Sequence, residues 1–173
     1  MQRKALAKIL EGPLVGRIRR YHALEHATVH LLSRRGPYSQ VMGRTTTDGF
    51  YVYGPVETQE VAAAASEALA RLRAGEHELA VHPRCGTNLA VAGLLAGLSS
   101  FLVWGGKGRR LTKLPRLLLA ATVAVIAAQP LGLLVQERLT TSTDLEEVTI
   151  KGVTGQKVGG VVIHKVELTQ PDL

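Results

Sequence analysis

Residues 88–106 read NLAVAGLLAGLSSFLVWGG, and residues 117–136 read LLLAATVAVIAAQPLGLLVQ. Neither stretch holds a charged side chain. A helix needs about 20 mostly apolar residues to cross a bilayer, and each stretch is close to that. Two such helices inside a soluble domain would need apolar cover on every side. The rest of this 173-residue chain is too small to provide it. The composition therefore predicts a transmembrane hairpin with both termini on one side. Gly93 and Gly97 form a small-xxx-small pair suited to close helix contact. Trp104 stands near the end of the first span, where an interfacial aromatic belongs. In the second, Pro130 predicts a kink, and Gln129 should seek a polar partner. Neither span carries an ionisable group, so nothing supports proton or ion transport.

The flanking sequence is polar. Residues 17–35 predict a helix stopping at Gly36-Pro37, with Arg34 and Arg35 suited to its negative end. TTTDGFYVYG (45–54) predicts strands around an Asp48-Gly49 turn. Residues 58–74 are rich in helix formers, with Thr58 as N-cap and Gly75 as stop. Beyond the hairpin, VTIKGVTGQKVGGVVIHKVEL (148–168) alternates apolar and polar residues, and its glycines predict breaks into short strands. His164 reads there as an ordinary exposed histidine. The fold class is α+β: a small soluble domain split in sequence by a two-helix transmembrane hairpin. Residues 1–87 form the N-terminal part, 88–136 the hairpin, and 137–173 a β-rich part that packs with the first.

The formal charge of +7 is unevenly distributed. Residues 105–116 hold five basic and no acidic side chains, whereas 137–173 are net acidic. Basicity confined between two uncharged spans, with only 4% aromatics, argues against a nucleic-acid partner. The partner is instead the lipid bilayer. The loop KGRRLTKLPR (107–116) would favour the cytoplasm, but Arg71, Arg73, Arg84, Arg138 and Lys151 nearly balance it across the spans. MQRKALAKIL lacks the apolar core of a signal peptide, which makes export of residues 1–87 the harder course. The expectation is a two-span membrane protein with cytoplasmic termini. The single cysteine, Cys85, excludes an internal disulfide and fits a reducing compartment. Small two-span proteins often associate, so a homo-oligomer is compatible with the sequence.

YHALEHATVH (21–30) sets His22, His26 and His30 along one flank of a helix, each about 40° round from the last. Leu24, Ala27 and Leu31 occupy the roughly opposite face, so the helix should be covered on both sides. Neighbouring buried imidazoles need hydrogen bonds, a proton or a metal. His22-x-x-Glu25-His26 has the H-x-x-E-H form of an inverted zincin motif. Two imidazoles one turn apart can hold Zn²⁺ or another divalent transition metal, and Glu25 can reach a metal-bound water as general base. The five-residue match is weak alone, because surface and core helices produce it by chance. GEHELAVHPRCGTN (75–88) supplies further ligands, with His82 favoured as third. Cys85, in H-x-x-C spacing, is a fourth ligand or a support for the site, and His30 ranks lower. Arg84 and Asn88 are candidate oxyanion or substrate contacts, while Glu76, His77 and Glu78 read as a solvated charged turn.

HALEHAT (22–28) followed by HPRCGTN (82–88) resembles a family of small bacterial membrane proteins described as a domain of unknown function. The pairing is also similar to the YqhQ-like proteins, described as predicted metal-dependent enzymes. QERLTTSTDL (136–145) resembles the small-protein family as well. The resemblance runs from about residue 17 to 150 and points to His22, Glu25, His26, His82 and Cys85. It implies a metal site at a bacterial inner membrane more than it implies a reaction.

Three readings follow. The first is a membrane-anchored zinc hydrolase, peptidase-like, acting on a membrane-protein or peptide substrate near the bilayer. The second is a scaffold or accessory subunit whose closed zinc shell (His22, His26, His82 and Cys85) activates no water. The third uses no metal, with Cys85 as thiolate nucleophile and a histidine as base.

Overall fold

The computed structural model describes residues 8–35, 41–83, 85–105 and 110–171. Its elements run α1 (Pro13–Arg35), β1 (Met42–Thr46), β2 (Gly49–Tyr53), α2 (Thr58–Arg73), a 3₁₀ turn (His77–Ala80), α3 (Gly86–Gly105), α4 (Arg110–Val135), a π turn (Gln136–Thr140), β3 (Thr149–Val158) and β4 (Val161–Thr169). The fold is α+β, as expected. The chain divides into two units, residues 1–82 with 137–173, and residues 83–136.

The first unit is a four-stranded antiparallel sheet in the order β1-β2-β4-β3. Helix α1 packs against β1 and β2, and α2 against β3 and β4. Phe50, Val52, Val166 and Leu168 fill the space between sheet and helices, meeting Leu24, Leu31 and Leu32 of α1 and Val61, Ala64, Ala68 and Leu72 of α2 in one core. The opposite sheet face is polar: Lys165 lies over the Tyr51 ring and pairs with Asp48 at 2.6 Å. Helix α1 is also tied to the chain beyond the hairpin. Arg19 donates to the carbonyls of Arg138 (3.2 Å) and Thr141 (2.9 Å), and Arg20 Nε to Gln170 Oε1 at 2.9 Å.

Several local expectations shift. Helix α1 starts at Pro13, four residues before the expected position, and Pro13 suits a first helical position, where an N–H has no partner. The expected stop at Gly36-Pro37 lies outside the described residues. Glu57 rather than Thr58 caps α2: its N–H donates to Glu60 Oε2 at 3.3 Å. Gly75, at φ +95°, follows the Ala74 C-cap as expected. The glycines of 148–168 do not break the strands: β3 runs ten residues and β4 nine, turning at Gly159-Gly160. Gly152 marks a register shift, and a methyl at Gly155 would overlap the Thr58 hydroxyl.

That close approach corrects the reading of His164. It is 1% exposed, with Nδ1 3.3 Å from Thr58 Oγ1. Burial holds its imidazole below the usual histidine range, against smaller upward pulls from the Val56 backbone and Glu57. A depressed pKa means that the unfolded chain takes up the proton first as pH falls. The stability conferred is full above about pH 6.5 and is lost as pH falls through the folded value. Thermal melting between about pH 7 and 5 should therefore drop more steeply for wild type than for His164→Gln. Parallel curves would refute this role.

The second unit is the helical hairpin α3–α4. Both helices are long and apolar enough to cross a membrane. Their large apolar side chains point outward, with Leu89 76% and Phe101 72% exposed. Helix α4 begins at Arg110, so part of the basic loop is already helical, and it carries Pro115 and Pro130 within its length. Gly93 and Gly97 do not form a close contact inside the hairpin: a methyl at either would meet nothing within 4 Å. Gln129 is exposed, and the polar contact is made elsewhere. Asn88 Nδ2 donates to the Pro83 carbonyl at 2.7 Å, and Gln136 Nε2 donates to Asn88 Oδ1 at 2.8 Å. Both residues are buried, and a methyl at Gly132 would overlap Asn88. The two ends of the hairpin are thereby clasped together.

Candidate metal centre

Helix α1 presents His22, Glu25, His26 and His30, at positions i, i+3, i+4 and i+8, and the sheet and 3₁₀ turn pack against it. His22 Nδ1 lies 2.9 Å from the Thr140 carbonyl oxygen, and His26 Nδ1 lies 2.8 Å from that of Ala80. A carbonyl only accepts, so both Nδ1 atoms carry the proton. In the neutral rings this leaves the lone pairs on Nε2. Tethering one ring nitrogen to a carbonyl is how proteins orient metal-binding imidazoles. The two rings meet edge-on, with centroids 4.2 Å apart.

His82 follows the 3₁₀ turn, its ring centroid 6.3 Å from those of both His26 and His30. With Zn–N near 2.0 Å, two imidazoles on one tetrahedral zinc have centroids about 5 Å apart. The His22–His26 spacing of 4.2 Å is shorter than that and the His26–His82 spacing of 6.3 Å longer, so the structure brings His22 and His26 together and holds His82 farther off. His30 is half-buried, and burial, then the charges of Arg34 and Arg71, hold it below the usual histidine range.

Glu25 is 6% exposed, and its Oε2 accepts from the Thr45 hydroxyl at 3.1 Å. The same oxygen lies 3.9 Å from His22 Nε2. Burial pushes the carboxyl above the usual carboxylate range; His22 and the Thr45 hydroxyl pull it back without cancelling the shift.

The sequence reading missed Gly43 and Thr45, which share one face of β1. A methyl at Gly43 would overlap the Glu25 carboxylate. The signal was present, because a glycine inside a strand often marks a close approach. What the sequence lacked was the strand's position over α1. Gly43→Ala should displace Glu25 at a stability cost of about 1–3 kcal/mol. Misplacement by about 1 Å should lower any Glu25-dependent turnover by about 100-fold. Melting and turnover of the purified variant check this, and unchanged turnover would show that Glu25 needs no fixed position.

Cys85 belongs to the second unit, buried just before α3, with its sulfur 3.4 Å from the Thr87 backbone nitrogen, which donates to it. Both polar groups of the Asn88 amide are engaged, by Pro83 and Gln136, in a structural role. Arg84 lies outside the described residues. Glu76 pairs with Arg71, and His77 and Glu78 are exposed.

A domain of unknown function, DUF6391, matches residues 17–153, from within α1 to within β3. An uncharacterized protein of Picosynechococcus sp. is 41% identical over 138 residues, covering 74% of this chain and 67% of that protein. No solved structure matches the chain significantly.

Proposed function

The chain belongs to the DUF6391 family, and from that premise we propose that it is a membrane-anchored, zinc-dependent hydrolase of peptidase type. The observation that carries the reading is the pair of Nδ1-tethered imidazoles, His22 and His26, beside the buried carboxylate of Glu25. His22, His26 and His82 would hold the ion. When bound, zinc supplies a Lewis acid that lowers the pKa of a coordinated water and polarises a substrate carbonyl. Glu25 takes a proton from the attacking water as the new C–O bond forms. It returns that proton to the leaving nitrogen as the C–N bond breaks, and Thr45 keeps the carboxylate aimed throughout.

A closed structural site is the second reading, favoured by the Cys85 thiol three residues after His82. Glu25 argues against it. Burying a carboxylate costs stability, and a filled four-ligand shell gives that group nothing to do.

The outward apolar surface of α3 and α4 supports a bilayer-spanning hairpin, in a bacterial inner membrane with cytoplasmic termini. HALEHAT and HPRCGTN support a relationship to the YqhQ-like predicted metal-dependent enzymes. Purified in detergent without chelators or metal-affinity resin, the protein should carry about one zinc per chain. It should cleave fluorescein-labelled casein, lose zinc and cleavage together on chelation, and regain both with zinc. Protein isolated free of any transition metal would sink both metal readings.

A further inference from the structure

Among the described residues strand β1 is an edge, paired with β2 on one side only. The register shows which of its backbone groups point outward. Gly54 N donates to Val162 O, and Leu168 N donates to Asp48 O, so even-numbered residues along β2 turn their backbone groups toward β4. Gly49, Tyr51 and Tyr53 then face β1, where they are paired with Thr46, Arg44 and Met42. The outward N–H and C=O groups of β1 therefore belong to Gly43 and Thr45. Among the described residues nothing bonds to them. These are the same two residues that contact the Glu25 carboxylate.

The sheet's two edges are built differently. β3 is blunted by a register shift between Ile150 and Gly152 and by Lys151 and Lys157, devices that discourage strand pairing. β1 has no proline, no lysine and no bulge; Arg44 is its one charge.

We propose that β1 is a substrate rail: an extended polypeptide segment adds to it as a fifth strand, held by the backbone groups of Gly43 and Thr45. The proposal rests on the hydrolase reading of the adjoining site and names its substrate class. Strand addition supplies affinity through main-chain hydrogen bonds, largely independent of side chains. The added backbone runs about 4.8 Å outside β1, alongside the strand that holds Glu25. The substrate is therefore an unfolded or loop segment, because a helix or a paired strand has no free backbone to offer.

The test uses the full chain in detergent, zinc-loaded, carrying Glu25→Gln to prevent turnover. The probe is a mixture of random-sequence peptides of about ten residues, long enough to cover a strand. Residue-resolved hydrogen exchange should slow at least about tenfold at the Gly43 and Thr45 amides, with little change at Met42, Arg44 and Thr46, whose amides already face β2. Peptides N-methylated at alternate residues should lose this protection. If wild type cleaves the peptides but the Gly43 and Thr45 amides stay fast, the rail is wrong and the hydrolase reading stands. If the amides slow and wild type cleaves nothing, the rail stands and the hydrolase reading falls. Neither effect overturns both. Protection that appears without peptide and rises with protein concentration means a second copy occupies the edge, which also overturns the proposal.

Discussion

Glu25→Gln is expected to leave zinc content unchanged and to lower peptide hydrolysis by about 10²–10⁴-fold, the usual range for losing a general base. The substitution keeps shape and volume, and the new amide oxygen can still accept from the Thr45 hydroxyl. What disappears is the group that can take a proton. Because burial holds the Glu25 carboxyl above its ordinary range, replacing it with a neutral amide should also leave the fold as stable as before, or more so. Lost turnover without lost stability identifies a group kept for chemistry. Hydrolysis undiminished in the variant would refute the enzyme reading, and a closed metal site would then be the better account of the same residues.

The second large effect is expected at His26. Its removal takes away one of the tethered imidazoles and leaves the Ala80 carbonyl without its donor. Zinc affinity should fall by about 100-fold or more, since even partners outside the ligand set are worth 10–100-fold. The unpaired carbonyl should cost about 1–3 kcal/mol if it stays dry. His30→Ala is the control, removing a histidine from the same flank without touching either tether. Its zinc affinity should stay within about threefold of wild type by competition with a chromophoric chelator. Equal losses in the two variants would mean that the ion sits toward His30 and His82 instead.

The sequence made some of this legible and hid the rest for identifiable reasons. The two apolar helices could be read because length and lack of charge are local properties. The histidine flank could be read because helical spacing is regular. Gly43 and Thr45 could not, since their importance arises only when β1 lies over α1. His164 looked exposed because its burial depends on Gly155 and Thr58, the latter more than 100 positions away. The Asn88–Gln136 pair joins residues 48 apart, and the expectation settled on the wrong glutamine, Gln129. Glycines in β3 read as breaks because propensity penalises them, whereas pairing along β4 overrides that preference.

The strand order also dictates a sequence of events during synthesis. β4 lies between β2 and β3, and its pairing partner β2 is made more than 100 residues earlier. Between them the ribosome must deliver both apolar helices. Until it has done so, Phe50 and Val52 of β2 lack the neighbour that completes their layer, and the long closure makes this pairing slow. On the bilayer-spanning reading proposed above, the nascent N-terminal part waits, incompletely folded, on the side of the membrane to which the chain returns. On that reading, insertion of the hairpin and completion of the domain become one event, and a chain whose second helix failed to turn back would leave β2 without β4.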